Sequence, residues 1–396
     1  MILKDLFSKV VFLIGAGASK EPGCLLSNDM LFKLNEILTK KLFIDSKYEK
    51  YIDDFREIYH FIMASMKYQT EIKANEIDSV SYVNIEDFVM VLRQLIDKEY
   101  TIPYPLIGNW NDKITKWELR NNDIFSQFLE FITCQLITSW TRFDLTKAKK
   151  LLQPIRTILD KSEDFKINIF SLNYDLIFES VFNSQTTRLL DNGFSEKRID
   201  DSRIHYWSMD FDNPQSPTKI NLFKLHGSID WVYGNDSEEV FMKSDPNETG
   251  EPLMIFGSYS KMLSFDPFLY MLSSFRSKLE QSSLFITIGY SFHDKHINNL
   301  LIQQLNQNTT NGMPKRLLII DPFLDKTSNV EFVNKLRVIQ ENKSINDVIN
   351  FRRVSPERVR IIPTSAQKFF TDYFKDNGKL LQNQLVDIER SVNIFS

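Results

Sequence analysis

The run Lys9-Val10-Val11-Phe12-Leu13-Ile14 passes directly into Gly15-Ala16-Gly17-Ala18-Ser19. An apolar run without polar alternation reads as a strand buried on both faces, the condition of a parallel strand covered by helices. A glycine turn at its carboxyl end then restricts the fold to one in which the chain bends tightly and opens a helix. Glycine at 15 and 17 leaves no Cβ to keep a pyrophosphate off the backbone, and helix N–H groups just beyond would face the anion. The third glycine of a dinucleotide fingerprint is absent, because Lys20 stands there, and no Gly-Lys-Ser follows. Taken alone, the turn reads equally well as a tight connection with no ligand.

Similar short apolar runs recur at Ile167-Asn168-Ile169-Phe170, Leu222-Phe223-Lys224-Leu225, Leu284 to Ile288, Leu317 to Ile320 and Val359 to Ile362. Helix-period segments such as His293 to Leu305 and Ser365 to Phe374 lie between or after them, so strand and helix alternate as in a parallel α/β sheet. Residues 31–164 break the alternation. Met30, Leu31, Leu34, Ile37, Leu38 and Leu42 mark one amphipathic helix. Ile85, Phe88, Leu92 and Ile96 mark another with Asn84 as N-cap, and Ile124, Phe125, Phe128, Leu129, Ile132 and Leu136 a third. The expected fold class is therefore α/β, a Rossmann-like parallel sheet with a large all-helical insertion after the first strand. Its core is 1–30 and 165–396, the C-terminal helix included, and its insertion 31–164. Tyr100 to Trp110 is the expected loop within the insertion; Asp210 to Pro217 and Gly234 to Pro252 read as polar connectors.

Composition excludes several functions. Lys and Arg number 48 against 52 Asp and Glu, a net charge of −4, so no basic excess exists to neutralise a phosphate backbone, and direct sequence-specific nucleic-acid binding is not expected. Two cysteines, Cys24 and Cys134, are too few for a four-cysteine zinc module or a disulfide framework. No apolar run approaches a membrane span. The reading is a soluble, cytoplasmic protein with no membrane association.

Two further clusters follow strands: Ser171-Leu172-Asn173-Tyr174-Asp175 and Leu225-His226-Gly227-Ser228. All three clusters fall at carboxyl ends of expected parallel strands, where open α/β sheets place ligands. Here the sequence resembles the sirtuin (silent information regulator) family. Gly15-Ala16-Gly17-Ala18-Ser19 is similar to its Gly-Ala-Gly-x-Ser loop, Ser171 to Asp175 to its Thr-Gln-Asn-x-Asp motif, and Leu225-His226-Gly227 to its His-Gly. Ile288-Gly289-Tyr290-Ser291 resembles its Gly-Thr-Ser loop, and Ile319-Ile320-Asp321 the strand end that holds adenosine. The resemblance implies a sirtuin-type fold that binds NAD as substrate. Its pyrophosphate would lie on Gly15, Ala16, Gly17 and Ser19, and its nicotinamide ribose between Asn173 and His226. Asp175 would face the nicotinamide amide, and Gly289, Ser291 and Asp321 the adenosine half. Asn173 and His226 are the implied catalytic pair. An Asn side chain can orient a water or ribose hydroxyl without adding charge. A histidine, with an ordinary pKa of about 6.5, can take a proton at cellular pH.

Two departures separate this chain from deacylating sirtuins: the zinc-ribbon cysteines are missing, so no zinc is expected, and Glu21-Pro22-Gly23-Cys24-Leu25-Leu26 replaces their Gly-Ile-Pro-Asp-Phe-Arg segment. With no acyl-lysine site, water is the remaining acceptor. The set then resembles sirtuin-like NADases of bacterial antiphage defence that deplete NAD in abortive infection. Stand-alone members imply a HerA-type DNA-translocating ATPase as partner and a homo-oligomer, with the insertion as the expected subunit contact. The alternatives are a non-hydrolytic NAD or ADP-ribose sensor, an NAD-dependent protein deacylase and, last, a DNA-acting enzyme. His60 reads as an ordinary helical residue, His205 as part of a connector, and His293 with His296 as residues at a helix N-terminus rather than metal ligands. Phe369, Phe370, Tyr373 and Phe374 read as core or as subunit contacts.

Overall fold

The computed structural model describes residues 3–42, 45–74, 83–97, 110–161, 165–183, 188–199, 202–209, 211, 218–234, 239–243, 245, 250–257, 265–309, 312–323 and 358–393. The chain divides into two compact units. One comprises Met1–Cys24, Phe143–Met254 and Leu263–Ser396, the other Leu25–Arg142 and Ile255–Met262.

The first unit is built on a seven-stranded parallel sheet. Its strands are β1 (Val10–Ile14), β2 (Ile167–Ser171), β3 (Leu190–Asp191), β6 (Ile220–Lys224), β9 (Leu284–Ile288), β10 (Arg316–Ile320) and β11 (Val359–Ile362), in the order β11-β10-β9-β1-β2-β6-β3. Every residue of β1, β6 and β9 is buried, which is why β1 and β9 read as nearly unbroken apolar runs. In β1, Phe12 pairs with Ile169 of β2 on one side and with Ile286 of β9 on the other. From β1 the chain goes to β2, out to β3 at the edge and back in to β6, then crosses to the other side of β1 for β9, β10 and β11. The switch in direction lies between β1 and β9, where sheets of this kind open a crevice at their carboxyl ends.

Helices close the faces. Leu145–Leu159, capped by Asp144 Oδ1 accepting the N–H groups of Thr146 and Lys147, sends Leu151, Leu152 and Ile155 into the same apolar cluster as β1 and β2. This unit therefore takes in the helix that precedes β2. Ala366–Tyr373 starts at Ser365, whose hydroxyl accepts the Lys368 N–H, and Phe369, Phe370 and Phe374 join the core rather than a free surface. The helix expected from His293 begins at Lys295, because Asp294 caps it.

A second, four-stranded antiparallel sheet departs from the expected connectors. It contains β4 (Phe194–Ile199), β5 (Ser202–Trp207), β7 (Trp231–Tyr233) and β8 (Val240–Met242), in the order β4-β5-β8-β7. His205 is thus a strand residue opposite Met242, not part of a connector, and the segment Gly234 to Pro252 contains β8. Residues 210 and 212–217 lie outside the described residues.

The second unit is helical, with Ser27–Lys40, Ile52–Ala74, Ile85–Asp97, Trp110–Arg120 and Ile124–Gln135 among its elements. Asn84 is the N-cap expected of it: its side-chain oxygen accepts the N–H groups of Glu86 and Asp87 at 2.8 and 3.0 Å. Aromatic packing forms the core. Phe55 stacks on Phe128 with ring centres 4.7 Å apart, and Phe88 meets Phe128 edge-on. His60 is an exposed residue of Ile52–Ala74. The expected loop at 100–109 lies outside the described residues. No helix among the described residues is long and apolar enough to cross a membrane.

Candidate active site

The turns after β1 and β9 meet backbone to backbone. Gly15 N–H donates to Ile288 O and Gly17 N–H to Gly289 O, both at 2.9 Å. A Cβ on Gly15 would lie 2.6 Å from Gly289 O, and one on Gly17 2.8 Å from Gly289 Cα. Gly289 has φ +63°, and its Cβ would stand 2.3 Å from Ala18 N. Close approach of the two turns therefore demands glycine at all three positions, whatever lies above them. The helix opened here is one turn, Ala16–Ser19, and its Ala18 N–H donates to Gly15 O. Ala16 and Gly17 remain half-buried.

Asn173 lies two residues beyond β2 and is 8% exposed. Its backbone N–H donates to Ser171 Oγ at 3.1 Å, while its side-chain Nδ2 donates to Gly15 O at 3.1 Å and to Ser19 Oγ at 2.8 Å. Ser19 passes its own proton to Asp175 Oδ2 at 2.6 Å, and Asp175 Oδ1 accepts the Ile177 N–H. Both amide hydrogens of Asn173 are thus used and its orientation is fixed. Among the described residues its Oδ1 is buried without a hydrogen-bond partner. Cys24 borders this group. Burial drives its thiol far above the ordinary range, the Asp175 charge adds to this, and Lys224 opposes it.

Beneath Asn173 sits a buried cation. Lys224, the last residue of β6 and 1% exposed, donates to the carbonyl oxygens of Asp175 (2.6 Å) and Tyr174 (3.3 Å) and to Ser228 Oγ (2.7 Å). It also pairs with Glu179 Oε1 at 3.2 Å. One side chain thereby ties the loop after β2 to the loop after β6. Burial raises the Glu179 carboxyl to about 7 against the pull of Lys224, with the neighbouring charge of Asp230 adding to the rise. Burial raises the Asp230 carboxyl as well, again opposed by Lys224.

His226 follows β6 and is buried. Gly227 next to it has φ +78°, and a Cβ there would strike Leu253 O at 2.2 Å, so the chain beyond the imidazole must be glycine. His226 Nε2 lies 2.8 Å from Asp294 Oδ2. Burial alone would raise the Asp294 carboxyl. The hydrogen bond and charge of His226, with the N–H groups of Ile297 and His296, outweigh it and hold the group below its ordinary value.

The other expected residues stand at neighbouring strand ends. Ser291 is exposed in the turn after β9. Asp321 follows β10 half-buried, its Oδ1 accepting the Phe323 N–H at 2.8 Å, and burial raises its carboxyl. His293 is exposed, and His296 lies in the first turn of the helix Lys295–Leu305. Among the described residues no three His, Cys, Asp or Glu side chains are grouped to hold a metal ion.

Sequence reasoning missed Lys224, Glu179 and Asp294. The signal for Lys224 was a cation directly after Leu222-Phe223 at the end of a buried strand, and for Asp294 an acid two residues after Phe292 at the start of a helical pattern. Chemically, the arrangement offers an oriented amide oxygen and an imidazole held by a carboxylate.

Comparison with curated proteins gives no match. Among solved structures the chain is similar to a triply substituted Sir2 homologue in complex with 2'-O-acetyl-ADP-ribose. That pair has a TM-score of 0.42 and 12% identity over 94% of this chain and 92% of that one. It is also similar to a Sir2 enzyme solved in work on mechanism and regulation, at a TM-score of 0.37 and 11% identity over 96% of each chain. A third is Sir2 with an inhibitor, 2'-O-acetyl-ADP-ribose and a deacetylated p53 peptide, at 0.34 and 12% over 94% of this chain and 97% of that one. Residues 167–339, the span that holds Asn173, Lys224, His226 and Asp294, match the family model of a SIR2-like domain.

Proposed function

We propose that this chain is an NAD glycohydrolase that cleaves the bond between nicotinamide and ribose and passes the ribosyl carbon to water. The observation that carries the reading is the fixed amide of Asn173. With both Nδ2 hydrogens committed to Gly15 O and Ser19 Oγ, its buried Oδ1 can only accept, which suits it to orienting a water or ribose hydroxyl. The match of residues 167–339 to a SIR2-like domain supports NAD as the substrate class.

Nicotinamide departs as a neutral pyridine with the electron pair of the broken C–N bond, so the site needs no general acid. The water oxygen bonds to the ribosyl carbon as an oxocarbenium-like centre develops. Its proton passes by way of His226 to solvent, leaving ADP-ribose, nicotinamide and one proton. Asp175 would face the nicotinamide amide, and Gly289, Ser291 and Asp321 the adenosine side.

The reading extends to a defence role in which NAD loss halts a phage-infected cell, restrained until a homo-oligomer assembles with a HerA-type ATPase. Co-expression followed by size-exclusion chromatography tests the assembly, and two separate peaks would remove it. The activity itself is tested by following NAD and its products by chromatography. Wild-type protein should release nicotinamide and ADP-ribose in equal amounts, and Asn173→Ala and His226→Ala should each lower kcat by on the order of 10²-fold or more. Equal consumption by the variants would overturn the mechanism. Saturable NAD binding without turnover would point to a sensor, and acyl-ADP-ribose formed from an acylated peptide to a deacylase.

A further inference from the structure

Asp294 does two things with two oxygens. Its Oδ1 caps the helix Lys295–Leu305 by accepting the N–H groups of His296 (2.8 Å) and Ile297 (3.1 Å), and its Oδ2 meets His226 Nε2 at 2.8 Å. Capping alone explains neither the second contact nor the burial. Asp144 and Asp45 cap helices of this same chain from exposed positions, with one oxygen each. Asp294 is 6% exposed and His226 8%, so the two share a site from which water is largely excluded.

The turn that carries Asp294 is pinned. Tyr290 donates its hydroxyl proton to Asn298 Oδ1 at 2.8 Å and lies 3.2 Å from the Asp294 carbonyl oxygen. Asn298 Nδ2 donates to Phe292 O at 2.6 Å, holding Phe292 at φ +59°. That conformation is uncommon for a residue with a side chain, and here it aims the carboxylate. An ionised carboxylate accepts and cannot donate, so the imidazole nitrogen facing it must carry the hydrogen.

We propose that Asp294 is a positioning residue that fixes neutral His226 as the Nε2–H tautomer, making Nδ1 the nitrogen that accepts the reaction's proton. The inference rests on the glycohydrolase reading for its reaction, but its structural part does not. When Nδ1 takes the proton from the attacking water, the resulting imidazolium keeps its Nε2–H on Asp294 as an ion pair, then releases the Nδ1 proton to solvent. A carboxylate in this position orients the ring and stabilises its charged form without itself being protonated.

The test uses the full chain with Asp294→Asn and Asp294→Ser. Both replacements cap helices well, so a role limited to capping leaves kcat at the wild-type level in both. Asp294→Asn keeps the shape but loses the charge and the acceptor-only character, and Asp294→Ser keeps the cap without reaching His226. Both should stay folded with a lowered melting temperature, hold KM for NAD and lower kcat by on the order of 10²–10⁴-fold. Spectra of ¹⁵N-histidine protein, with the His226 signal assigned by His226→Gln, should show a single Nε2–H tautomer in the wild type. Asp294→Asn should lose that signature. Wild-type kcat in both variants, or an Nδ1–H tautomer in the unsubstituted protein, would overturn the proposal. If the wild type never consumes NAD, the glycohydrolase reading fails, and the tautomer spectra still decide the role of Asp294.

Discussion

Replacing Lys224 with methionine isolates what a buried cation does under the Asn173 loop. The substitution keeps the length and apolar stem and removes three hydrogen bonds, to Asp175 O, Tyr174 O and Ser228 Oγ, together with the ion pair to Glu179. At pH 6 Glu179 is mostly protonated, because burial holds its carboxyl at about 7. The loss there is the hydrogen bonding of a charged donor to groups that water cannot reach, about 3 kcal/mol. Above pH 7 a second loss begins. A carboxyl raised in the folded chain favours folding below its unfolded pKa and loses that advantage as pH rises through its folded value. In the wild type the advantage fades between the ordinary 4.5 and about 7. Without Lys224 the folded value climbs further, so the variant goes on losing stability where the wild type has levelled off. Between about pH 7 and 8.5 that extra loss is at most about 2 kcal/mol, at roughly 1.4 kcal/mol per pH unit. Asp230, also raised by burial, moves the same way. Urea unfolding at pH 6 and pH 8.5 reads both parts, and Glu179→Gln in the same background should return much of the alkaline increment. Equal losses at the two pH values, with no return from Glu179→Gln, would refute the assignment of Lys224 as the counter-charge of Glu179.

Gly289→Ala should cost at least about 2 kcal/mol, from a positive φ and a Cβ 2.3 Å from Ala18 N; a variant that unfolds at the wild-type urea concentration would show that the two turns separate freely. Phe128→Ala in the helical unit should cost about 3–5 kcal/mol, because its ring is fully buried between Phe55 and Phe88. A loss under about 1 kcal/mol in thermal or urea unfolding would mean that this aromatic cluster does not hold the unit together.

The parallel sheet was legible because its strands bury both faces. Val10–Ile14 and Leu284–Ile288 each present five apolar or Thr residues in a row, closed by Gly15 and Gly289. The antiparallel sheet was not. Its strands β7 and β8 are three residues each, too short for alternation to register, and β4 (Phe-Ser-Glu-Lys-Arg-Ile) carries its charges through the middle. One of its pairings, His205 of β5 with Met242 of β8, joins distant segments, and that information is not local. The polar stretches around them therefore read as connectors.

The site divides in the same way. Asn173, Asp175 and His226 could be placed because each follows an identifiable strand, and strand ends converge in an open sheet whatever the side chains. Lys224 and Asp294 owe their roles to contacts made across 49 and 68 positions of sequence. Read locally, one is a strand terminus and the other a helix cap. The glycine turn shows the opposite error, a residue pattern with more than one sufficient cause. Gly15 and Gly17 suggest a phosphate cradle, yet the approach of Gly289 requires both even if no nucleotide ever binds. The turn alone therefore cannot separate an NAD site from a ligand-free connection. Under the proposed function Asn173 adds an argument of its own, since its side-chain oxygen is buried without a partner among the described residues, at a cost of about 1–3 kcal/mol that a bound substrate would offset. Asn173→Leu removes the Nδ2 bonds to Gly15 O and Ser19 Oγ together with the orphan oxygen, so it should cost about 1–3 kcal/mol in urea unfolding and abolish NAD turnover; a folded Asn173→Leu protein that still consumes NAD would refute the role given to this amide.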